Sequence, residues 1–253
     1  MARRFTNGTS DEIDFGRLGG ALDGQSKLTV AFWTKLRSSG TAWTHLVCMM
    51  DAGIVGFVVM HGANGSGLYG EIAGAEVTKD SVFTTDAWTH VAVRYDTSLS
   101  GDARLELFLD GTKLTGVTRY GTIGANTGTS SANLRIGGTD HEADNRPNDD
   151  IEHVAIWRDG LSDEQIKSLA NGLNPARLSP YFYAPLFELG SARDFAGGVA
   201  GSVTGTSLVD GPPVSWGAPV SIIQPVSLVP VLSAAGVQDI TSTSAKLKAT
   251  LTF

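Results

Sequence analysis

Runs of apolar residues separated by turn residues recur along most of the chain. The run LTVAFWTKL, which begins at Leu28, is apolar at nearly every position up to Trp33 and predicts a strand that is covered on both faces. Similar runs predict further strands at 45–51, 54–61, 68–72, 89–95, 105–109, 113–117, 134–136 and 151–157. Short strands at this spacing indicate an antiparallel β-sandwich.

Two local signals interrupt the strand pattern. Asp110-Gly111 stands between two alternating runs, and this dipeptide tolerates the positive φ angles that a type I′ hairpin turn needs. The run LSDEQIKSLANG predicts one short helix, which Ser162 caps, Gln165 completes as a capping box and Gly172 closes.

The whole chain is predicted to consist of three parts. Residues 1–215 form one sandwich, and the segment 180–210, with repeated Gly and alternating Val, supplies its closing strands. Residues 216–230 form a proline-rich strap without periodicity. Residues 231–253 alternate cleanly at their end and form a C-terminal β-arm, which needs the edge of a sheet, preferably that of a neighbouring subunit.

Composition and charge narrow the function. The 31 Gly and 18% charged residues suit short strands and tight turns, and the net charge of −7 argues against a phosphate-binding surface, so nucleic acid is not an expected partner. The N-terminus has no apolar stretch, so neither a secretory signal nor a membrane contact is expected. The single Cys48 is expected to be a buried, inert thiol in a chain assembled in a reducing cytoplasm.

The order of these signals resembles a known family. LTVAFWTKL, AWTHVAVRYD, LELFLDGTKL, NLRIGG and DDIEHVAIWRDGLSDEQIKSLANG together resemble the concanavalin A-like jelly roll of laminin G-like and pentraxin-like domains, over 13–172. The segment YFYAPLFELGSARDFAGGVAGSVTGTSLVDGPPV is similar to the closing segment of laminin G-like structural proteins of tailed bacteriophages, and GVQDITSTSAKLKATLTF is similar to the opening strands of a fibronectin III-like module that lacks its remainder. The resemblance implies an all-β jelly-roll sandwich with one short helix and an extended C-terminal arm.

No complete catalytic set is found in the sequence, and no enzyme activity is predicted. Glucanases of this superfamily use Glu-x-Asp-x-x-Glu, whose first half Glu12 and Asp14 imitate, but Arg17 occupies the place of the general acid. Ile13 and Phe15 are interpreted as core anchors, and His90 as a structural histidine inside a strand. The tryptophans mostly fall inside strand patterns and are interpreted as core.

One acidic loop, GGTDHEADNRPNDDIE, is a candidate metal site. Calcium takes oxygen ligands from such loops, and pentraxin-like and laminin G-like domains bind calcium near one rim. Neither the spacing of an EF-hand nor the Phe-x-Gly usual before this strand is present, which favours the alternative interpretation, a solvated acidic loop. The candidate calcium ligands are Asp140, Glu142, Asp144, Asp149 and Asp150.

Two functions are predicted from these observations. The first is a bacteriophage virion structural protein, a capsid decoration or cement protein that forms dimers or trimers and binds the major capsid protein. The alternative is a lectin-like module that binds glycans in adhesion on a virion or tail fibre. In both cases the chain acts without a cofactor, calcium excepted, and it is located in the virion.

Overall fold

A computed structural model describes residues 1–38, 42–51, 54–139, 145–188 and 190–213 of the chain. Within these ranges two antiparallel sheets pack face to face, and one short α-helix lies against the outside of one sheet. The predicted antiparallel β-sandwich is confirmed. None of the helices in this part of the chain is long and apolar enough to cross a membrane.

The secondary structure is numbered in chain order. The strands are β1 (Ala2–Arg4), β2 (Glu12–Asp14), β3 (Lys27–Leu36), β4 (His45–Asp51), β5 (Ile54–His61), β6 (Leu68–Ile72), β7 (Ala75–Lys79), β8 (Trp88–Asp96), β9 (Leu105–Leu109), β10 (Thr112–Lys113), β11 (Thr118–Tyr120), β12 (Arg135–Ile136), β13 (Asp149–Trp157), β14 (Phe182–Ala184), β15 (Ala192–Arg193), β16 (Ala200–Thr204) and β17 (Ser207–Val209). The helix α1 covers Asp163–Ala170, and short 3-10 turns lie at Leu18–Gly20, Gly101–Arg104 and Pro175–Leu178.

The chain crosses repeatedly between the two sheets, as in a jelly roll. Sheet 1 has the order β10-β9-β8-β3-β13-β1-β17, and β14 pairs with the second half of β13. Sheet 2 has the order β11-β7-β6-β5-β4-β12-β2-β16-β15. In the segment after α1, β14 and β17 join sheet 1, whereas β15 and β16 join sheet 2.

Apolar side chains from both sheets fill the space between them. Leu28, Val30 and Phe32 of β3 point into this core, together with Val59 of β5 and Val77 of β7. Ile13 and Phe15 are buried in the same core, as the sequence predicts. The alternation of apolar positions therefore decides which face of each strand is inside.

The hairpin and the helix form as predicted. Asp110 and Gly111 both have positive φ angles, 47° and 74°, as a type I′ turn requires. Ser162 accepts a hydrogen bond from the Gln165 backbone, and the Gln165 side chain accepts one from the Ser162 backbone, so the capping box is complete. On the inner face of α1, Ile166 and Leu169 pack against sheet 1.

Several strand boundaries differ from the prediction. The strand expected at 113–117 ends at Lys113, because Gly116, with φ 60°, turns the chain towards sheet 2, where β11 pairs with β7. The N-terminal strands β1 and β2 were not predicted, because their polar residues give no alternating apolar pattern. They are strands because neighbouring strands offer them hydrogen-bonding partners.

The predicted strap and arm lie outside the described residues. The strap, 216–230, and the arm, 231–253, both follow the last described residue, Pro213. The expected domain boundary at 215 lies outside them as well.

Candidate functional site

Alternation along β6 and β7 sends every second side chain to the outer face of sheet 2. In β6, Leu68 and Ile72 are buried between the sheets, so Tyr69 and Glu71 are on the opposite face. In β7, Glu76 lies directly opposite Glu71.

A small apolar cluster forms the floor of this outer face. Cys48, Val58, Met60 and Tyr69 are buried together there, and Met50 packs against them. The Cys48 Sγ donates to the carbonyl oxygen of Gly138 at 2.9 Å, in agreement with the predicted buried thiol.

Trp43 covers one side of this floor. Its ring meets that of Tyr69 edge to face, with centroids 5.6 Å apart, yet the side chain remains 42% exposed. Its φ of 60° is uncommon for a bulky residue, because the left-handed region crowds the Cβ atom. The interpretation of the tryptophans as core is wrong for Trp43, which precedes β4 and presents its indole to solvent.

Two carboxyl groups stand beside this aromatic pair. The Tyr69 hydroxyl donates to Glu71 Oε2 at 2.8 Å. Burial raises the pKa of the Glu71 carboxyl and the nearby charge of Glu76 raises it further, while the hydrogen bond from Tyr69 opposes both. Burial and the two carboxylates also raise the pKa of Tyr69, which therefore keeps its proton and stays a donor.

Several other enclosed carboxylates in the described residues are paired with lysine or arginine, whereas Glu71 and Glu76 are not. Asp150 is paired with Arg4 and Lys35, and Glu106 with Arg94 and Lys113. Within the described ranges, no lysine or arginine forms an ion pair with Glu71 or Glu76. Like charges directly opposite each other on a sheet are unfavourable, so the pair costs stability.

These residues enclose a shallow depression of about 390 Å³. Its lining consists of Trp43, His45, Met50, Met60, Tyr69, Glu71 and Glu76. An apolar aromatic wall beside a few hydrogen-bond acceptors is the usual composition of a small-ligand site. The aromatic faces suit the apolar C–H face of a sugar ring, and the carboxylate oxygens can accept hydrogen bonds from its hydroxyl groups.

A larger cleft of about 690 Å³ lies beside α1, between Trp157 and the segment that follows Pro180. The Arg158 guanidinium stacks over the Tyr181 ring at 4.2 Å there. The Trp157 indole donates to the carbonyl oxygen of Leu178 at 3.0 Å, so its only polar atom is already used within the protein. The ring of Tyr181 is likewise covered by Arg158, which makes this cleft less suited to stacking a ligand than the depression on sheet 2.

The described members of the predicted calcium set do not converge. Asp149 accepts a hydrogen bond from Thr34 Oγ1 at 2.7 Å and contacts His61 Nε2 at 3.0 Å. Asp150 forms ion pairs with Arg4 and Lys35. Both carboxylates are fully buried, and as neighbours on β13 they point to opposite faces of the sheet, so they cannot share an ion. The other three predicted ligands, Asp140, Glu142 and Asp144, lie outside the described residues. No cluster of three metal-binding side chains occurs within the described ranges.

The described part of the chain does not complete the glucanase motif, and its histidines His61 and His90 are buried. Glu12 and Asp14, which imitate half of the glucanase motif, are both held by Arg135, at 2.6 Å and 2.9 Å. His61 and His90 are buried away from solvent, and burial lowers the pKa of His90 to about 3, so it stays neutral. A buried neutral imidazole supports the structural interpretation of His90, although its Nδ1 has no hydrogen-bond partner among the described residues.

The fold is a β-sandwich of the kind that lectins and glucanases share. The chain belongs to the concanavalin A-like lectin/glucanases superfamily, whose laminin G-like family matches residues 7–167. No protein with a curated description matches the chain.

Solved structures resemble the chain at low sequence identity. A candidate carbohydrate-binding protein from Bacteroides ovatus has a TM-score of 0.63 and 17% identity, over 85% of this chain and 61% of its own length. A heptameric SAP-like pentraxin from Limulus polyphemus has a TM-score of 0.52 and 15% identity, over 80% of this chain and 94% of its own. The carbohydrate-binding module of a Ruminococcus gnavus sialidase, bound to α2,3-sialyllactose, has a TM-score of 0.49 and 15% identity, over 67% of this chain and 98% of its own.

Sequence reasoning missed this depression because its residues come from different strands. The signals available were the tryptophan at position 43, outside any strand pattern, and the EIAGAE hairpin, whose two-residue turn places Glu71 opposite Glu76. Only the pairing of β6 with β5 and β7 brings the hairpin to the Met60 floor and to Trp43.

Proposed function

We propose that the chain is a carbohydrate-binding module that acts without turnover and takes its ligand in the depression on sheet 2. The single observation that supports this most directly is the exposed Trp43 ring packed on Tyr69 next to the Glu71–Glu76 pair. Membership of a lectin and glucanase superfamily, and the fold shared with the Bacteroides candidate carbohydrate-binding protein, support the same function.

The physical case rests on what the depression offers a ligand. Covering the exposed indole with the apolar face of a ligand is favourable, because water is released from both surfaces. The unpaired carboxylates provide charged acceptors, which form stronger hydrogen bonds than neutral ones. A sugar ring can meet both features, because its apolar face covers the indole and its hydroxyl groups donate to the carboxylates.

The test is retention of the full chain on a glycan array, compared with Trp43→Ala. We expect Trp43→Ala to lose retention, because it removes the aromatic wall, while Phe195→Ala, a substitution of another exposed aromatic at 51% exposure, retains it. Equal retention of the two variants would count against the depression. The same incubations, followed by product analysis, are expected to return the glycans uncleaved.

We further propose a second role, as a virion structural protein that assembles with copies of itself and with the major capsid protein. The observation that favours it is the alternating segment at 245–253, together with the free outer edge of β17, on which no strand pairs within the described ranges. A strand from a neighbouring subunit can add to such an edge through backbone hydrogen bonds.

Light scattering of the full chain beside a truncation after Ser215 tests this second role. A defined dimer or trimer for the full chain and a folded monomer for the truncation are expected. Two monomers of equal stability would contradict it and leave the carbohydrate proposal untouched.

A further inference from the structure

Tyr120 continues the outer face of sheet 2 beyond the depression. On β11 it lies directly opposite Glu76, and its side chain is 57% exposed. Residues opposite each other on antiparallel strands share a face, so Tyr120, Glu76, Glu71 and Val58 form one row across four strands.

The two exposed aromatic side chains of this face are too far apart for one sugar ring. Trp43 packs on Tyr69 of β6, and Tyr120 belongs to β11, with β7 between these two strands. Because neighbouring strands are about 4.8 Å apart, the strand of Tyr69, on which the Trp43 ring packs, is about 10 Å from the strand of Tyr120. A single ring held against Trp43 does not reach Tyr120, whereas a chain of rings does.

The charges between the two aromatic groups also select the ligand. Glu71 and Glu76 occupy the middle of the row, and no described lysine or arginine lines the depression. An acidic sugar placed there would bring a third negative charge into a partly buried site, where such repulsion is poorly screened. Hydroxyl groups, in contrast, donate to both carboxylates.

We propose that the ligand is an uncharged oligosaccharide that crosses the strands of sheet 2. One sugar ring packs against Trp43, the hydroxyl groups that follow donate to Glu71 and Glu76, and a later ring packs against Tyr120. This inference rests on the proposed carbohydrate function and adds the length, the direction and the charge of the ligand.

Calorimetric titration of the full chain tests the length. The probes are glucose, xylose, mannose and galactose, each beside its β-linked tetrasaccharide. For the sugar that binds, we expect the tetrasaccharide to bind at least about tenfold more tightly than the monosaccharide, which corresponds to one added aromatic contact. Tyr120→Ala is expected to remove this difference without changing monosaccharide binding, Trp43→Ala to abolish both, and Phe195→Ala to change neither.

Lactose and 3′-sialyllactose test the charge. We expect sialyllactose to bind at least about tenfold more weakly than lactose, because its carboxylate meets Glu71 and Glu76. Glu71→Gln combined with Glu76→Gln is expected to reduce this discrimination.

The outcomes separate the inference from the proposed function. The inference is overturned if monosaccharide and tetrasaccharide bind equally and Tyr120→Ala has no effect. It is also overturned if lactose and sialyllactose bind equally. In either case, binding that still depends on Trp43 preserves the proposed function. If the full chain binds none of these sugars, the proposed function itself fails.

Discussion

At the scale of single residues, the Glu71–Glu76 pair lowers the stability of the fold while it offers acceptors to the proposed ligand. The folded-state pKa of Glu71 is raised, so its ionised form costs stability at neutral pH, and this cost disappears as the pH falls through the folded pKa. A pair that destabilises the fold and still occupies an exposed depression is typical of a functional site.

Glu76→Gln is therefore expected to stabilise the protein at pH 7. Removing the like charge opposite Glu71 should raise the free energy of unfolding by about 0.2–1 kcal/mol, and the gain should shrink at pH 4. Urea denaturation at both pH values measures it. Glu106→Gln is the matched control, since Glu106 is paired with Arg94 and Lys113 and its neutralisation should destabilise instead. A loss of stability in Glu76→Gln at pH 7 would contradict the prediction.

His90 links stability to pH in the opposite direction. Burial lowers the pKa of His90 to about 3 in the folded chain, whereas the pKa is about 6.5 in the unfolded chain. Between these two values the unfolded chain binds a proton at His90 and the folded chain does not. Stability should fall by up to about 1.4 kcal/mol per pH unit from this group as the pH drops below 6.5. In His90→Gln this slope is expected to be shallower between pH 6.5 and pH 5, as measured by urea denaturation. Parallel slopes for the two proteins would show that His90 does not carry the effect. Some slope should remain, because burial also lowers the pKa of His153.

At the scale of elements, one hairpin in each sheet has a two-residue turn that ends in glycine, and the two turns have different neighbours. Gly111, between β9 and β10, and Gly74, between β6 and β7, both have positive φ, 74° and 79°. A Cβ atom on Gly111 would lie 2.7 Å from the Lys167 Cα atom of α1, whereas one on Gly74 would meet nothing within 4 Å.

Gly111→Ala is expected to destabilise the protein more than Gly74→Ala. Both substitutions incur the left-handed penalty of about 1–2 kcal/mol, and only Gly111→Ala adds a steric clash with α1, typically about 1–3 kcal/mol. Urea denaturation of the two variants measures the difference. Equal losses would show that α1 moves away without cost.

At the scale of the whole molecule, ligand binding on sheet 2 should stabilise the sandwich. A ligand that binds only the folded state adds about 2.7 kcal/mol to the free energy of unfolding at a concentration of one hundred times its Kd. The tetrasaccharide identified by titration should therefore raise the unfolding midpoint of the full chain and leave that of Trp43→Ala unchanged. An equal shift in Trp43→Ala would place the ligand elsewhere.

Most of the sandwich could be predicted from the sequence, because its signals are local. Strands β4, β5, β6 and β9 have the predicted bounds, because each is a largely apolar run that ends next to turn residues. The helix α1 was equally predictable, because its capping box involves residues three positions apart. Strands β1 and β2 were not, because they are held by partners more than a hundred residues away.

The calcium hypothesis shows the limit of composition as evidence. An acidic run does not reveal which carboxylates meet cations of the same chain, and Asp150 meets Arg4, 146 residues earlier in the sequence. The tertiary structure therefore buries Asp149 and Asp150 on opposite faces of the same sheet, each against partners from its own chain.

The sequence by itself determined the all-β class, the position of most strands, the Asp110-Gly111 turn and the helix, because each depends on residues close together in the chain. Only the tertiary structure decided that Trp43, Tyr69, Glu71, Glu76 and Tyr120 share one surface. The physical reason is that strand order and register, which bring distant residues side by side, are set by the packing of the whole sandwich and not by any local pattern.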